Sequence, residues 1–178
     1  MSRFKNGDAA AFETLYAQHR GPLYRYFLRQ AARGAVDDLF QDVWFRVIKG
    51  RDRYRPEAPF SAYLFRIAHN VLVDHYRHLG RAPEFTSAET LELPNPSADP
   101  EREFTQAELR AALSTALSDL PAAQREAFLL NRETGLTLEQ IADVVGTGRE
   151  TVKSRLRYAL SRLRNALQDV ESADPRQA

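Results

Sequence analysis

The stretch LTLEQIADVVGTGRETVKSRLRYALSRLR, Leu136 to Arg164, decides the fold. A short helix is expected from Thr137 to Val145, opened by the capping-box pair Thr137 and Gln140. Gly146 makes a turn, and a basic helix follows from about Arg149 to Asp169. Two helices that cross steeply need small residues at their contact, and Ala142 and Gly146 supply them. This is a helix-turn-helix pattern. The second helix buries Val152, Leu156, Ala159, Leu160, Leu163 and Leu167 on one stripe. At about 100° per residue, its other face carries Glu150, Thr151, Ser154, Arg157 and Tyr158, with Lys153 at the flank. Arg and Lys suit guanine edges, Ser and Thr donate or accept, and Glu accepts from cytosine. Arg155, Arg162 and Arg164 are placed for phosphates, which add affinity without sequence information. The competing reading is a surface helix with solvated charges; the turn, the capping box and the small residues weigh against it.

Outward from this unit the periodicity stays helical. Upstream, helices are expected from about Phe104 to Ser118 and from Pro121 to about Glu133, with Gly135 as a break. Before them, Ala82 to Glu103 carries Pro83, Pro94, Pro96 and Pro100, and Glu84, Glu89, Glu92, Asp99, Glu101 and Glu103 against Arg102 alone. Prolines without a donor N–H and without helical period sustain neither helix nor central strand. The stretch reads as an acidic flexible linker. The fold is therefore all-α: two small helical domains, 1–81 and 104–170, joined by the linker 82–103, with a tail at 171–178.

In the N-terminal domain a first helix is expected from about Asp8 to Ala31, with Phe12, Leu15, Tyr16, Leu23 and Phe27 inward and Pro22 bending or splitting it. A second follows Gly34, burying Val36, Leu39, Phe40, Val43, Val47 and Ile48, and ends at Gly50. It leaves Asp38, Gln41, Asp42 and Phe45 outward, with Asp37 and Trp44 at the edges. Acids early in a helix suit its dipole, which accounts for Asp37 and Asp38. An outward Phe45 beside Asp42 points instead to a protein partner. A third helix, Phe60 to Leu79, turns Phe60, Leu64, Ile67, Ala68, Val71 and His75 inward. Arg66, His69, Asn70, Val73 and Arg77 point out, with Tyr63 nearby. The preceding loop interleaves Tyr54 with Arg51, Arg53 and Arg55, a mix suited to a single strand, where bases stack on rings. The alternative is a loop aromatic folded back on the core.

The 178 residues carry 25 Lys and Arg against 24 Asp and Glu, so the sorting of charge matters and its total does not. With no cysteine, disulfides and thiolate metal sites are excluded. Neither a signal peptide nor a bilayer-spanning run is found, and a cytoplasmic protein is expected. His69, Asp74, His75 and His78 cluster in sequence, but His69 lies about 120° from His75 around a helix, so no metal is expected. No cofactor motif and no catalytic constellation appear, and no enzyme is expected.

Four segments, VDDLFQDVWFRV (36–47), FSAYLFRIAHNVLVDHYRH (60–78), LPAAQREAFLLNRETGLTLEQIA (120–142) and ETVKSRLRYALSRLR (150–164), occur in an order that resembles the extracytoplasmic-function (ECF) group of the sigma-70 family of bacterial RNA polymerase sigma factors. The resemblance covers about Ala11 to Leu167. It implies a sigma-2-like and a sigma-4-like domain, with core RNA polymerase (clamp coiled coil and flap) and promoter DNA as partners. An anti-sigma factor that covers both domains is a further expected partner, and the location is the bacterial nucleoid. Core polymerase binding is implied for Asp37, Asp38, Gln41, Asp42 and Phe45. The −10 element falls to Tyr54, Tyr63, Arg66, His69, Asn70 and Arg77. The −35 element falls to Arg149, Glu150, Thr151, Lys153, Ser154, Arg155 and Arg157. The linker would thread the polymerase near its RNA exit path. Where such factors often carry a Ser cap, this chain has Gly148, and a Thr147–Glu150 capping box is expected instead. The rival reading is a stand-alone helix-turn-helix transcriptional regulator that works without core polymerase.

Overall fold

A computed structural model describes residues 1–80 and 100–173, with side chains in 1–80 and 109–168. The helices are α1 (Ser2–Lys5), α2 (Ala9–Leu28), α3 (Val36–Lys49), α4 (Phe60–His78), α5 (Pro100–Ser118), α6 (Ala122–Thr134), α7 (Leu138–Val145) and α8 (Arg149–Ala173). Single 3-10 turns, Arg33–Ala35 and Arg51–Arg53, precede and follow α3. No strand occurs among the described residues. Most of the expected linker, 81–99, and the last five residues of the tail lie outside the described residues.

The caps expected in the C-terminal domain form. The Thr137 hydroxyl accepts from the Gln140 N–H while the Gln140 side chain accepts from the Thr137 N–H, so two orphan donors of α7 are paired. Gly135 and Gly146 take φ near +65°, the left-handed conformation that ends α6 and α7 at little steric cost. The Thr147–Glu150 box does not form. Helix α8 starts at Arg149, and the Glu150 carboxylate is taken by Arg149 and Lys153.

Other boundaries and faces need correction. Pro22 does not split the first helix: α2 runs unbroken through it, because Leu23, Tyr26 and Phe27 just beyond are fully buried and hold the turn in place. Helix α5 begins at Pro100, four residues before the expected start; proline suits a first turn, where its missing N–H would go unpaired. On α3, Trp44 is buried and not at an edge, enclosed by the rings of Phe12, Tyr16 and Phe40, while Ile48 is 41% exposed. On α4 the buried face is wider than one stripe: Phe65, Leu72 and Tyr76 join Leu64, Ala68 and Val71. On α8, Leu160 is exposed, one step outside the Val152–Leu156–Ala159–Leu163 stripe.

The wide face of α4 has a physical cause. The two domains share one apolar core, in which Phe65, Ala68 and Leu72 are clustered with Ala127, Leu130, Leu136 and Ile141. Helix α4 packs on α3 and on α7, and α2 packs on α3 and on α6. A separate smaller core, Ala116, Leu117 and Leu120 with Ala159 and Leu163, ties α5 to α8.

Candidate nucleic-acid and partner interfaces

The α3 face carries acids from its first turn and an apolar tip at its end. Asp37, Asp38, Gln41 and Phe45 are exposed and Asp42 is half-buried. Asp37 accepts from the Tyr24 hydroxyl at 3.1 Å, and Asp42 holds Arg46 through two contacts of 3.2 and 2.9 Å. Phe45 is 55% exposed with the Lys49 ammonium 4.3 Å from its ring centre. A shallow groove runs beside it, floored by Tyr16, Phe40 and Trp44 and rimmed by Asp38, Gln41 and Ile48. An exposed aromatic over an apolar floor with acids at the rim is the chemistry of a protein-binding face.

Tyr54, in the loop after α3, is only 6% exposed. Its ring packs edge-on against Tyr63 at 5.0 Å and lies near Phe60, so it folds back on the core, and burial raises the pKa of its hydroxyl. What the loop offers to solvent is Arg51, Arg53 and Arg55, with the exposed Asp52 beside Arg51 at 3.5 Å. Gly50 is required here by space: a Cβ would meet the Tyr63 hydroxyl at 2.7 Å. The remaining −10 candidates on α4 divide. Asn70 and Arg77 face solvent, Arg77 paired with Asp74 at 3.2 Å. Arg66 and His69 face the C-terminal domain: Arg66 donates to the Asp143 carbonyl at 3.0 Å, and His69 Nδ1 lies 2.7 Å from Glu126. His75 meets the Tyr76 ring edge-on and His78 bonds the Asp74 carbonyl. The histidines that are neighbours in sequence therefore have separate surroundings.

On α8, Val152 and Leu156 anchor the helix against α6 and α7 and Ala159 anchors it against α5, leaving Arg149, Glu150, Thr151, Lys153 and Arg157 exposed and Ser154 and Arg155 half-buried. Arg149 bonds Glu139 and Glu150, and Lys153 bonds Glu150 at 3.3 Å. These pairs raise the pKa of Arg149, through Glu139 first, and lower that of Glu150, through Lys153 first. Arg157 lies over the exposed Tyr158 ring, 5.1 Å from its centre. Two turns of helix thus present cations, a hydroxyl and a carboxylate on one open face, whose ion pairs are solvent-exposed and readily exchanged for other partners.

A set of residues absent from the sequence reading joins the domains. Tyr26 is fully buried, and its hydroxyl donates to Glu126 at 2.6 Å, on the same carboxylate oxygen that His69 approaches. Burial, then Glu126, drives the Tyr26 pKa well above its ordinary value. Arg25 reaches Glu133 through two contacts of 2.9 and 2.6 Å, and Arg29 reaches the Ser114 hydroxyl at 2.9 Å. Nearby, Arg125 is 1% exposed and donates to the Leu117 and Ser118 carbonyls at the end of α5; burial lowers its pKa to about 10, which leaves it charged at neutral pH. The signal for this seam was the extra apolar width of α4.

The family model for Sigma-70 region 2 matches residues 15–82, and that for Sigma-70 region 4 matches 116–165. RNA polymerase sigma factor CarQ of Myxococcus xanthus is 31% identical over 172 residues, 96% of this chain and 97% of that protein. The ECF RNA polymerase sigma-E factor of Escherichia coli (strain K12) is 26% identical over 176 residues, 94% and 92% of the two chains. Among solved structures, CnrH in complex with the cytosolic domain of CnrY is similar at 25% identity and a TM-score of 0.65, over 93% of this chain and 92% of that one. The fold is also that of the sigma factor RpoE in its co-crystal with the anti-sigma factor NepR from Bartonella quintana, at 24% identity and a TM-score of 0.66, over 92% of this chain and 98% of that one. With both regions matched in order and a relative similar from end to end, the chain belongs to the ECF RNA polymerase sigma factors, which join core polymerase and direct initiation at promoters.

Proposed function

We propose a division of that work among named residues. The α3 face, Asp37, Asp38, Gln41, Asp42 and Phe45, docks on the clamp coiled coil of core polymerase, and the sigma-4-like domain reaches the flap. Tyr63, Arg66, His69, Asn70 and Arg77, with the cationic loop Arg51–Arg55, engage the −10 element. There Tyr54 is the buried prop of the loop and not its stacking ring. Lys153, Ser154 and Arg157 read −35 bases from the major groove, with Arg149, Glu150, Thr151 and Arg155 beside them. The protein makes and breaks no covalent bond; strand opening is assisted by holding an exposed base. The domains run 1–81 and 104–170 about the linker 82–103, and the protein acts on the bacterial nucleoid. A partner anti-sigma factor, such as NepR is for RpoE of Bartonella quintana, controls it.

The observation that carries this reading is the α7–turn–α8 unit. Its core residues are buried, its turn glycine is left-handed, and the outer half of α8 is free of the body. The test is run-off transcription with sigma-free core polymerase and a genomic fragment library. Specific starts that share −10 and −35 motifs are expected, and their absence would overturn the assignment.

A second reading follows from the seam. A chain of 178 residues folded as one body has a radius of gyration of about 16 Å and a diameter of about 40 Å. Two DNA elements about 25 base pairs apart are separated by about 85 Å along the helix axis. One compact body does not reach both. We infer that the form with α2 and α4 packed on α6 and α7 is closed, and that engaging a promoter opens it. Residues 81–99 extend at most about 65 Å, enough with the domains themselves to cover the gap.

A further inference from the structure

The N-terminal turn has no part in the assignments above, and it lies before residue 15, where the region 2 match begins. Yet it is tied down at both ends. Phe4 is 8% exposed and packs 5.0 Å from Phe12, whose ring meets Trp44 edge-on at 5.7 Å, so the turn is rooted in the core. Asp8 caps α2 by accepting from the Ala11 N–H at 3.1 Å and also holds Arg3. From this fixed base two contacts reach the loop after α3. The Lys5 ammonium donates to the Tyr54 carbonyl at 3.0 Å, and the Arg51 guanidinium lies 5.7 Å from the centre of the Phe4 ring. An exposed lysine gives up rotamer freedom to hold a carbonyl 49 residues away. Tyr54 and Gly50 anchor the loop from beneath; Phe4 and Lys5 hold its flank.

We propose that the turn Met1–Asp8 is a brace for the Arg51–Arg55 loop, with Phe4 and Lys5 as positioning residues for capture of the −10 strand. This rests on the assignment of that loop to the −10 element. Phe4 is buried and touches no DNA. It acts by fixing where the Arg51 guanidinium stands, as Lys5 fixes the backbone at Tyr54, and a small misplacement of such groups lowers the rate of the step they assist.

The test uses holoenzyme reconstituted from core polymerase and each variant, on a promoter recovered by run-off selection, with permanganate reactivity reporting strand opening. Phe4→Ala and Lys5→Met are each expected to slow opening about five- to tenfold, the usual effect of one lost hydrogen bond or ring contact. Lys5→Arg should stay near the parent rate. Affinity for core polymerase and the salt dependence of promoter binding should not change. A salt slope reduced by about one unit in Lys5→Met would make Lys5 a direct phosphate contact and overturn the brace. So would parent-like opening in both variants while Arg53→Ala slows it. Arg53→Ala without effect would remove the loop assignment itself, and the brace with it. If Phe4→Ala does not fold, Lys5→Met, exposed and outside the core, decides alone.

Discussion

Replacing Glu126 by Ala should release the closed form. Its carboxylate, 14% exposed, receives the Tyr26 hydroxyl at 2.6 Å and lies 2.7 Å from His69. A hydrogen bond to a charged group contributes about 1.5–3 kcal/mol net, and a buried hydroxyl left without an acceptor costs about 1–3 kcal/mol. These are partly the same loss counted from two sides. The carboxylate also recovers hydration when the domains part, so a net shift of about 2–3 kcal/mol is reasonable for the closed-to-open equilibrium. That is about a 30- to 150-fold change in the ratio. A protein about 1% open would become about 25–60% open, and its apparent affinity for polymerase would rise by nearly the same factor as its open fraction. Because the chain has no cysteine, dyes can be placed at Gln18→Cys and Asn165→Cys alone, both exposed and one in each domain. Energy transfer between them should be high in the parent and fall in Glu126→Ala, and Glu126→Gln, which keeps an acceptor for Tyr26, should lie between. Unchanged transfer together with an unchanged rate of association with core polymerase would refute the reasoning.

Charge reversal at the α3 face, Asp38→Lys with Asp42→Lys, should weaken core polymerase binding at least tenfold. It should cost little stability, since the exposed Asp42–Arg46 pair contributes about 0.5 kcal/mol; calorimetry and a polymerase pull-down check the two parts. Arg157→Ala should relax sequence preference at one −35 position by about 1–3 kcal/mol, whereas Arg162→Ala should lower affinity evenly across sequences, as measured by binding to a randomised −35 library. Gly50→Ala drives a methyl group to within 2.7 Å of the Tyr63 hydroxyl and 3.0 Å of the Arg46 carbonyl, so a loss of about 1–3 kcal/mol in thermal unfolding is expected. Adding Tyr63→Phe should recover part of that loss, because one of the two close contacts disappears.

How much was legible in the sequence follows from the range of the forces involved. Helix ends are set by local chemistry, and Thr137 with Gln140, Gly135 and Gly146 announced theirs. The outward set on α3 was legible because one face of that helix packs on one body. Helix α4 was misread where it packs on two: Phe65, Leu72 and Tyr76 look like spare apolar residues until the C-terminal domain is laid on them. The same blindness hid Tyr26, Glu126, Arg25 and Glu133, whose partners lie 100 and 108 residues apart. An isolated Glu on a helix carries no mark that it will meet a buried tyrosine. Tyr54 was ambiguous for a different reason, since an aromatic among arginines suits a stacked base and a loop anchor equally. Only its burial separates the two.

The seam also links the two binding activities without any relay through the protein. Arg66 and His69 are proposed contacts of the −10 element, yet in the closed form both are occupied by the C-terminal domain. A ligand that prefers the open form therefore frees those side chains for a second ligand, and the coupling is reciprocal by linkage. Polymerase, gripping both domains, would raise affinity for the −10 strand by whatever free energy closing had held back. A partner that binds across the closed pair would lower both affinities by the same route, with no need to cover every contact residue. On this argument, weakening the seam should make polymerase binding and resistance to such a partner rise together. A variant that gained one without the other would mean that the partner acts by covering surfaces and not by holding the domains shut.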